Sequence, residues 1–580
     1  MIPPSPWDLR PRQPLPAAGA PITQWGLAID APLTLADPDA HGWAGEADMV
    51  VVGLGGAGIA AALEGLERGL SVIALDQYQG GGSSAANGGV YYAGGGTAIQ
   101  REAGVEDSPQ QMYAYLKTEV GDVVSDDTLR DFCDTSAATL DWLRGHGAPF
   151  EASYHAEKTS YPPLDKFLYH PDSSLAAPFC DITPPAARGH RVFHRNGNKP
   201  WGIGAGMYQP LRQAALAKGM RFHSGAEVRQ LALDSSGRVI GIRVLRFADK
   251  ALRDRHAKLV EKASAWMAML PGTFPGSRIT MARGYKLLAK ARAMEAQGRV
   301  SEWYRARRGV VLSAGGFICN PEMVQHFAPD YAPGLPNGTL GDNGSGIMLG
   351  VSAGGATALM ERISAWRFLN PPKAWGQAML VNGRGERFTN ETWYGARVGD
   401  DMVERNGGRG YIILDRRLFK QALRHAFGPG VLGFQRDITL VNAFFAATKG
   451  ATPEELARKM GFDSAAFGAT IDAYNCAARG EKPDTFHKTP DEMAELGPGP
   501  WYAIDASVDA RMFPIACMSV GGLLVSEASG AVQNTDGKAI PGLYAAGRNA
   551  VGLCSNLYVS GLSFADCIYS GRRAARAMAV

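Results

Sequence analysis

The chain has 580 residues, 46% hydrophobic and 20% charged, with a net charge of +3. That length calls for two or more domains with substantial cores, and the composition is that of an ordinary globular protein, which excludes a disordered chain. Seven scattered cysteines without a CxxC pair suit a reducing cytoplasm, and eleven histidines that form no Cys/His cluster lead us to expect no metal.

Residues 1–45 are Pro- and Ala-rich and read as an extended arm over the surface. The start, Met1-Ile2-Pro3-Pro4-Ser5-Pro6-Trp7, has no charged n-region followed by an apolar stretch, so no secretion is expected. No window approaches 18 uninterrupted apolar residues, so nothing is expected to span a membrane. We therefore expect a cytoplasmic protein.

Residues 49–76 run a β-branched strand (Met49 to Val52) into Gly53-Leu54-Gly55-Gly56-Ala57-Gly58, then a helix of small residues, a second strand (Ser71 to Leu75) and Asp76. That order predicts a dinucleotide-binding βαβ unit. Gly53 permits the tight turn, Gly55 lets backbone approach a pyrophosphate, and Gly58 lets helix and strand pack closely. Phosphates then sit at the helix N-terminus beside Gly56 and Ala57.

The next segment, Gly80 to Gly89 followed by Gly94-Gly95-Gly96-Thr97, is too flexible and polar for core. It is either a surface loop or a backbone-amide cradle beneath a long, flat ligand. Gly82, Ser83, Asn87, Gly88 and Gly89 would then touch that ligand. An extended, tightly held flavin dinucleotide suits such a cradle better than a nicotinamide that must leave. Glycine as a whole, 72 residues, is concentrated in such motifs rather than in linkers.

A helix should open at Ser108-Pro109, with cap and first-turn proline, and another should cover Thr128–Leu143 and end near Gly145. Residues 150–205 lack periodicity and read as irregular. Met220–Phe247 alternates as two strands turning at 234–237. Buried-strand signals then appear at 308–316 and 540–547, each an apolar run ending on small residues where parallel strands meet a cofactor.

The fold expected is α/β, α+β overall, with a discontinuous Rossmann-like FAD-binding domain interrupted by a catalytic domain. Its parts are 46–345 and 516–580, with 346–515 inserted between them.

These residues resemble the flavoprotein family that contains fumarate reductase flavoprotein subunits and 3-ketosteroid dehydrogenases. The resemblance spans about 46 to 580 and is carried by the fingerprint, the GGGT segment, RRGVVLSAGGF at 307–317, LVNGRGERFTNE at 380–391 and GLYAAGRN at 542–549. Fumarate-reducing members carry an HGxNRL-like stretch whose arginine and histidine hold a dicarboxylate. Here Leu553 to Ser563 has neither, which argues against fumarate. A Tyr-Pro-Gly-Pro-Gly pattern like that of the 1-dehydrogenases is also missing.

The segment is similar instead to the Tyr-x-Ser-Gly-x-Ser of 3-ketosteroid 4-dehydrogenases, which implies Tyr558 and Ser560 as catalytic residues. Asn390 to Gly395 places Tyr394 on the second catalytic tyrosine of that branch, and His170-Pro171, Ala177-Pro178-Phe179 and Arg188-Gly189-His190 are similar to it as well. Introducing a double bond beside a ketone requires loss of an α-proton and of a hydride from the neighbouring carbon. The carbonyl needs donors as enolate charge develops, and the base can be a tyrosine of lowered pKa or a serine relayed through one. Tyr92 lines the pocket or merely packs.

The resemblance further implies noncovalent FAD, with Asp76 on the ribose hydroxyls beside Gln77 and Val228 at the adenine edge. Ala314, Gly315, Asp342, Gly547, Leu562 and Ser563 would surround the flavin. The implied substrate is a small-molecule 3-ketosteroid, and the electron acceptor is not implied. Alternatives are 1-dehydrogenation, reduction of an enone, or an electron-transfer subunit without a substrate.

The resemblance lapses over 248–304. Residues 249–308 hold 14 Lys+Arg against 5 Asp+Glu, a net +9 in a chain that totals +3. Trp266 to Pro271 and Phe274 form an apolar knot between basic helical stretches at 250–265 and 281–298. The insertion, 250–300, is either a hairpin packed on protein or a peripheral contact at the inner face of a membrane. No nucleic-acid recognition module accompanies it.

Overall fold

The computed structural model describes residues 14–193, 202–267, 269 and 276–580. The β-branched run closes strand β1 (Gly45–Val52), whose last four residues are buried. Helix α1 (Gly56–Glu67) and strand β2 (Val72–Asp76) complete the βαβ unit, with β1 and β2 parallel. Small residues let α1 bury itself from Gly56 through Gly65, as a helix does when it is covered on all sides.

Residues 150–193, expected to be irregular, contribute short strands to a four-stranded sheet. It joins β3 (Val90–Tyr92), β4 (Leu168–Tyr169) and β5 (Gly189–Arg191) to Tyr154–His155, with β5 between β3 and β4. Turns and prolines conceal strands this short from any periodicity.

Two long strands follow, β6 (Ala226–Leu233) and β7 (Val239–Phe247). The basic insertion is a helical hairpin, α2 (Lys250–Met267) and α3 (Ser277–Gly298), and it returns into β8 (Arg299–Leu312). β7 and β8 pair antiparallel up to Phe247 opposite Arg299, so the hairpin caps the end of that ladder. Gly284 lets the helices approach, since a Cβ there would lie 2.9 Å from the Ala263 carbonyl oxygen. Of the apolar knot, Trp266, Met267 and Met269 are described, whereas Ala268, Leu270, Pro271 and Phe274 lie outside the described residues.

The inserted unit has its own core, drawn from residues between Leu369 and Phe513. It surrounds an antiparallel sheet of Met379–Val381, Tyr411–Leu414, Trp501–Asp505 and Ala447–Gly450 in that order. Strand β9 (Ile363–Trp366) and helix α4 (Gly395–Asn406) face the cofactor unit, and β9 pairs antiparallel with β10 (Ala516–Ser519). The chain then returns through β11 (Ala539–Ala545), which lies parallel to β8, and ends on helix α5 (Leu562–Ala579) against α1.

The main sheet is thus assembled from distant segments. Its nine strands run from Leu33–Thr34 through β6, β7, β8, β1 and β2 to Arg221–Ser224, with β11 branching from β8 and Ala531–Gln533 beyond it. The arm does more than lie on the surface: Leu33–Thr34 adds a parallel edge strand to β6, and Ile22 and Ile29 are buried. The fold is mixed α/β, as the sequence leads one to expect. Among the described residues no helix is long and apolar enough to cross a membrane.

Candidate active site

The glycines after β1 divide into two kinds. A Cβ on Gly58 would overlap the carbonyl oxygen of Gly53, whereas one on Gly55 would meet nothing nearer than 3.9 Å. Gly58 is therefore closed by packing, and Gly55 faces space that a ligand backbone can use. Asp76 ends β2 and ties the loop to it, its carboxylate accepting from the amides of Leu54 (2.9 Å) and Tyr78 (2.8 Å). Burial pushes its pKa up, and those amides offset part of the rise. Gln77 follows it half-buried, and Val228 is buried on β6.

The glycine cradle meets a second loop at Asp342. Its carboxylate accepts from the Ser83 hydroxyl, from the Thr339 amide at 2.8 Å and from the Arg548 guanidinium at 2.7 Å. Gly315 beside it has φ +88, and Ala314 packs against Gly53. In the cradle itself the Asn87 side chain accepts the Gly89 amide at 2.7 Å, the Gly88 carbonyl accepts the Tyr161 hydroxyl at 2.7 Å, and exposed Gly82 opens a short helix. Gly56 donates its amide to Ser84 (2.9 Å), and Gly547 donates its amide to Ser570 (2.9 Å). Gly561 caps α5, so Leu562 and Ser563 lie in the positive first turn of that helix.

Residues missed in the sequence test whether this cradle fits a polar ligand. Asn549 is fully buried, yet neither its amide nitrogen nor its amide oxygen has a partner among the described residues, and one Arg548 nitrogen is likewise orphaned. Orphaned buried donors and acceptors are rare in finished structures. Together with the open Gly55 face and the helix N-termini, they fit the pyrophosphate and polar ring edge of FAD.

On the other side of the cradle the inserted unit brings its own groups. Tyr394 is the N-cap of α4, and its amide donates to the Ser173 hydroxyl at 2.9 Å, which holds the inserted unit to the cofactor unit. Tyr558 lies in the loop before α5, and its hydroxyl accepts the Gly561 amide at 3.2 Å. The two rings are 6.4 Å apart between centroids. Ser560 follows Tyr558 by two residues; burial pushes the Tyr394 hydroxyl pKa up, and Ser560 lowers it in part.

Both tyrosine hydroxyls are pushed up by burial, Tyr558 and Tyr394 alike. A tyrosine of lowered pKa, one of the two bases considered from sequence, is thus not what this pocket produces. Neutral phenols that donate and relay are its resting state. Trp366, Phe368 and Trp393 pack around the pair, with Trp366 stacked on Tyr558 and Phe368 edge-on to Tyr394. The pocket therefore suits an apolar ligand bearing one polar group.

Tyr169 was not singled out, although it directly precedes the His170-Pro171 pair. It is fully buried on β4, and its hydroxyl donates to the Ser560 hydroxyl at 3.2 Å. Tyr92 packs and bonds at once: fully buried, it donates to the Asp172 carboxylate at 2.9 Å.

Comparison with known proteins supplies the remaining finding. A profile of the FAD binding domain family matches residues 48–559. The chain is 36% identical over 519 residues, 89% of its length and 95% of the relative, to a 3-oxo-5-alpha-steroid 4-dehydrogenase of Comamonas testosteroni. It is 25% identical over 87% of its length and 92% of the relative to a 3-oxosteroid 1-dehydrogenase of Mycolicibacterium smegmatis. Its structure is similar, with a TM-score of 0.77 and 28% identity over 95% of this chain and all of the other, to the 3-ketosteroid-delta4-(5alpha)-dehydrogenase of Rhodococcus jostii RHA1 in complex with 4-androstene-3,17-dione.

Proposed function

The chain belongs to the FAD binding domain family, and from that premise we propose that it is an FAD-dependent 3-ketosteroid dehydrogenase that desaturates the 4,5 bond of 3-oxo-5α-steroids. The observation that carries this reading is the group of buried Tyr394 and Tyr558 with half-buried Ser560, three side chains that offer hydroxyls and no charge in an aromatic pocket. A steroid ketone finds donors there, and these three side chains offer a dicarboxylate no clamp. The higher identity to the 4-dehydrogenase than to the 1-dehydrogenase favours carbons 4 and 5.

The residues we assign to FAD are those of the fingerprint, Asp76, the cradle, Asp342, Arg548, Asn549 and the first turn of α5. The chemistry FAD supplies when bound is acceptance of the hydride from carbon 5. The chain does the rest. Donation from a tyrosine hydroxyl to the ketone oxygen acidifies the carbon 4 proton. As that C–H bond breaks, its electron pair enters the enolate and the proton passes to the hydroxyl group of Tyr558, Tyr394 and Ser560, and on to water. The aromatic walls exclude bulk water, which strengthens each of these hydrogen bonds.

We propose the domain division 46–345 plus 516–580 for cofactor and 346–515 for substrate, on the strength of the separate core between Leu369 and Phe513. For the insertion 248–304 we favour contact with an anionic membrane surface. Its helices expose Ile279 (74%) and Tyr285 (53%) among solvent-facing lysines and arginines, as interfacial segments do. Equal flotation with liposomes after deletion of 255–298 would remove that idea.

The deciding assay mixes the yellow holoprotein anaerobically with 5α-androstane-3,17-dione. Flavin bleaching with loss of two mass units in the steroid is expected. Bleaching only with 4-enes would indicate 1-dehydrogenation, and no bleaching with any 3-ketosteroid would sink the steroid reading. Tyr558→Phe and Tyr394→Phe should keep FAD while turnover falls on the order of 100-fold or more.

A further inference from the structure

Beside the tyrosine group lies a charge that the proposed reaction does not use. Arg191, on β5, is 1% exposed. Its guanidinium donates to the carbonyl oxygens of Pro162 (3.1 Å) and Pro163 (2.6 Å), while its buried Nε has no hydrogen-bond partner. Among the described residues no carboxylate bridges it. Two other buried arginines near by differ in this: Arg188 is paired with Asp107, and Arg397 with Glu119. A buried cation without a counter-ion is costly unless something else uses its field.

The ladder shows what lies in that field. On paired strands Tyr169 is opposite Gly189, so Arg191, two residues on, shares its face. Gly189 leaves the way clear, since a Cβ there would come within 2.8 Å of the Tyr169 ring. The Arg191 guanidinium also lies 5.2 Å from the Tyr161 ring centroid and 5.3 Å from that of Phe167. Tyr169 then donates to Ser560, and Ser560 in turn lowers the Tyr394 hydroxyl pKa that burial raises. Tyr169, on which the Arg191 charge acts, thus links that charge to Ser560 at the substrate pocket.

We propose that Arg191 is a positioning residue for proton loss, polarising the chain Tyr169, Ser560 and Tyr394 so that it stabilises the enolate charge formed on the steroid when its α-carbon is deprotonated. A fixed positive charge in a low-dielectric site acts over such distances, and successive hydroxyls aligned by it strengthen one another. The ionisable groups facing this chain are Tyr161 from the preceding loop, Tyr558 from the loop before α5, and Asp172, which Tyr92 and Ser174 hold. Asp172 is the one carboxylate among them, and it opposes the effect.

The inference rests on the steroid dehydrogenase reading, and the experiment separates the two. Stopped-flow reduction of oxidised holoenzyme by 5α-androstane-3,17-dione is followed from pH 6 to 10 for wild type, Arg191→Met, Arg191→Lys and Tyr169→Phe, with FAD content and steroid Kd measured for each. If wild type is not reduced, the reading itself has failed.

If wild type is reduced, Arg191→Met should lower the limiting rate on the order of 10- to 100-fold and move its pH midpoint upward. FAD content and Kd should stay unchanged, and Arg191→Lys should recover part of the rate. Adding Arg191→Met to Tyr169→Phe should cost little more. A wild-type rate and midpoint in Arg191→Met overturns the proposal. So does a defect confined to FAD or steroid binding that lysine does not repair. Should Arg191→Met not fold, Tyr169→Phe decides alone: the same loss and midpoint shift support the proposal, and a wild-type rate overturns it.

Discussion

The Trp366 indole stacks on the Tyr558 ring, with 4.9 Å between centroids and 19° between planes. Its Nε1 donates to the Ser364 hydroxyl at 2.8 Å, so strand β9 sets the plane of the indole and the indole sets the plane of Tyr558. A substrate-side strand thereby aims a hydroxyl carried by the cofactor side. Such a stack contributes about 0.5–1.5 kcal/mol beyond area burial. Trp366→Leu should lower kcat about tenfold with FAD content unchanged, and Trp366→Phe should retain most of it. Equal kcat in Trp366→Leu would show that the stack is only packing.

The two glycines of the fingerprint should fail differently. Gly58→Ala forces its Cβ onto the Gly53 carbonyl oxygen, which must part helix from strand, so the apoprotein itself should lose stability by about 1–3 kcal/mol. Gly55→Ala has room, with nothing within 3.9 Å, so the apoprotein should melt as wild type while FAD binds more weakly. Isothermal titration and apoprotein melting together check this. Equal apoprotein melting of the two variants would contradict the division.

The reach of sequence reasoning follows the range of the interactions. The βαβ unit is legible because strand, glycine spacing and Asp76 lie within 28 residues. The helical hairpin, expected at 250–265 and 281–298 and observed at Lys250–Met267 and Ser277–Gly298, is legible from local propensity. β8 begins at Arg299, well before the apolar run at 308–316, because its first half pairs with β7 on a half-exposed face and carries polar residues. Tyr169 is invisible for another reason: its partner Ser560 is 391 residues away. Nor does any local pattern mark Arg191 as lacking a counter-ion, since that depends on every element packed around it.

Glu391 anchors the segment that leads to Tyr394. Fully buried, its carboxylate accepts from Arg387 at 2.8 Å, Lys488 at 2.9 Å and the Leu380 amide at 2.8 Å. Burial alone would raise its pKa, but Arg387 and Lys488 outweigh that and hold it at about 2. Glu391→Gln keeps the shape and removes the charge, leaving two buried cations, so stability should fall by about 3–5 kcal/mol. Urea unfolding at pH 7 checks it; a loss under about 1 kcal/mol would mean that Asp484, which also bonds Arg387, suffices alone.

The last prediction concerns acid. His190 is fully buried, its Nε2 2.9 Å from the Thr97 hydroxyl and its Nδ1 3.2 Å from the Arg188 carbonyl, and burial lowers its pKa to about 4. The unfolded chain takes up a proton near its ordinary value of 6.5 while the folded chain does not. Stability from this group is therefore full above pH 6.5 and declines as pH falls toward 4, by about 1.4 kcal/mol for each unit.

Total stability is a poor readout of that decline, because Asp401 runs the other way. Burial raises its pKa to about 6, so it destabilises the fold as pH rises through that range. The difference between wild type and His190→Gln isolates the histidine. It should narrow by about 2 kcal/mol or more between pH 7 and pH 4.5, measured by urea unfolding at each pH. A gap that stays constant would mean that His190 is charged in the fold, with both ring N–H groups donating, one to the Thr97 hydroxyl and one to the Arg188 carbonyl.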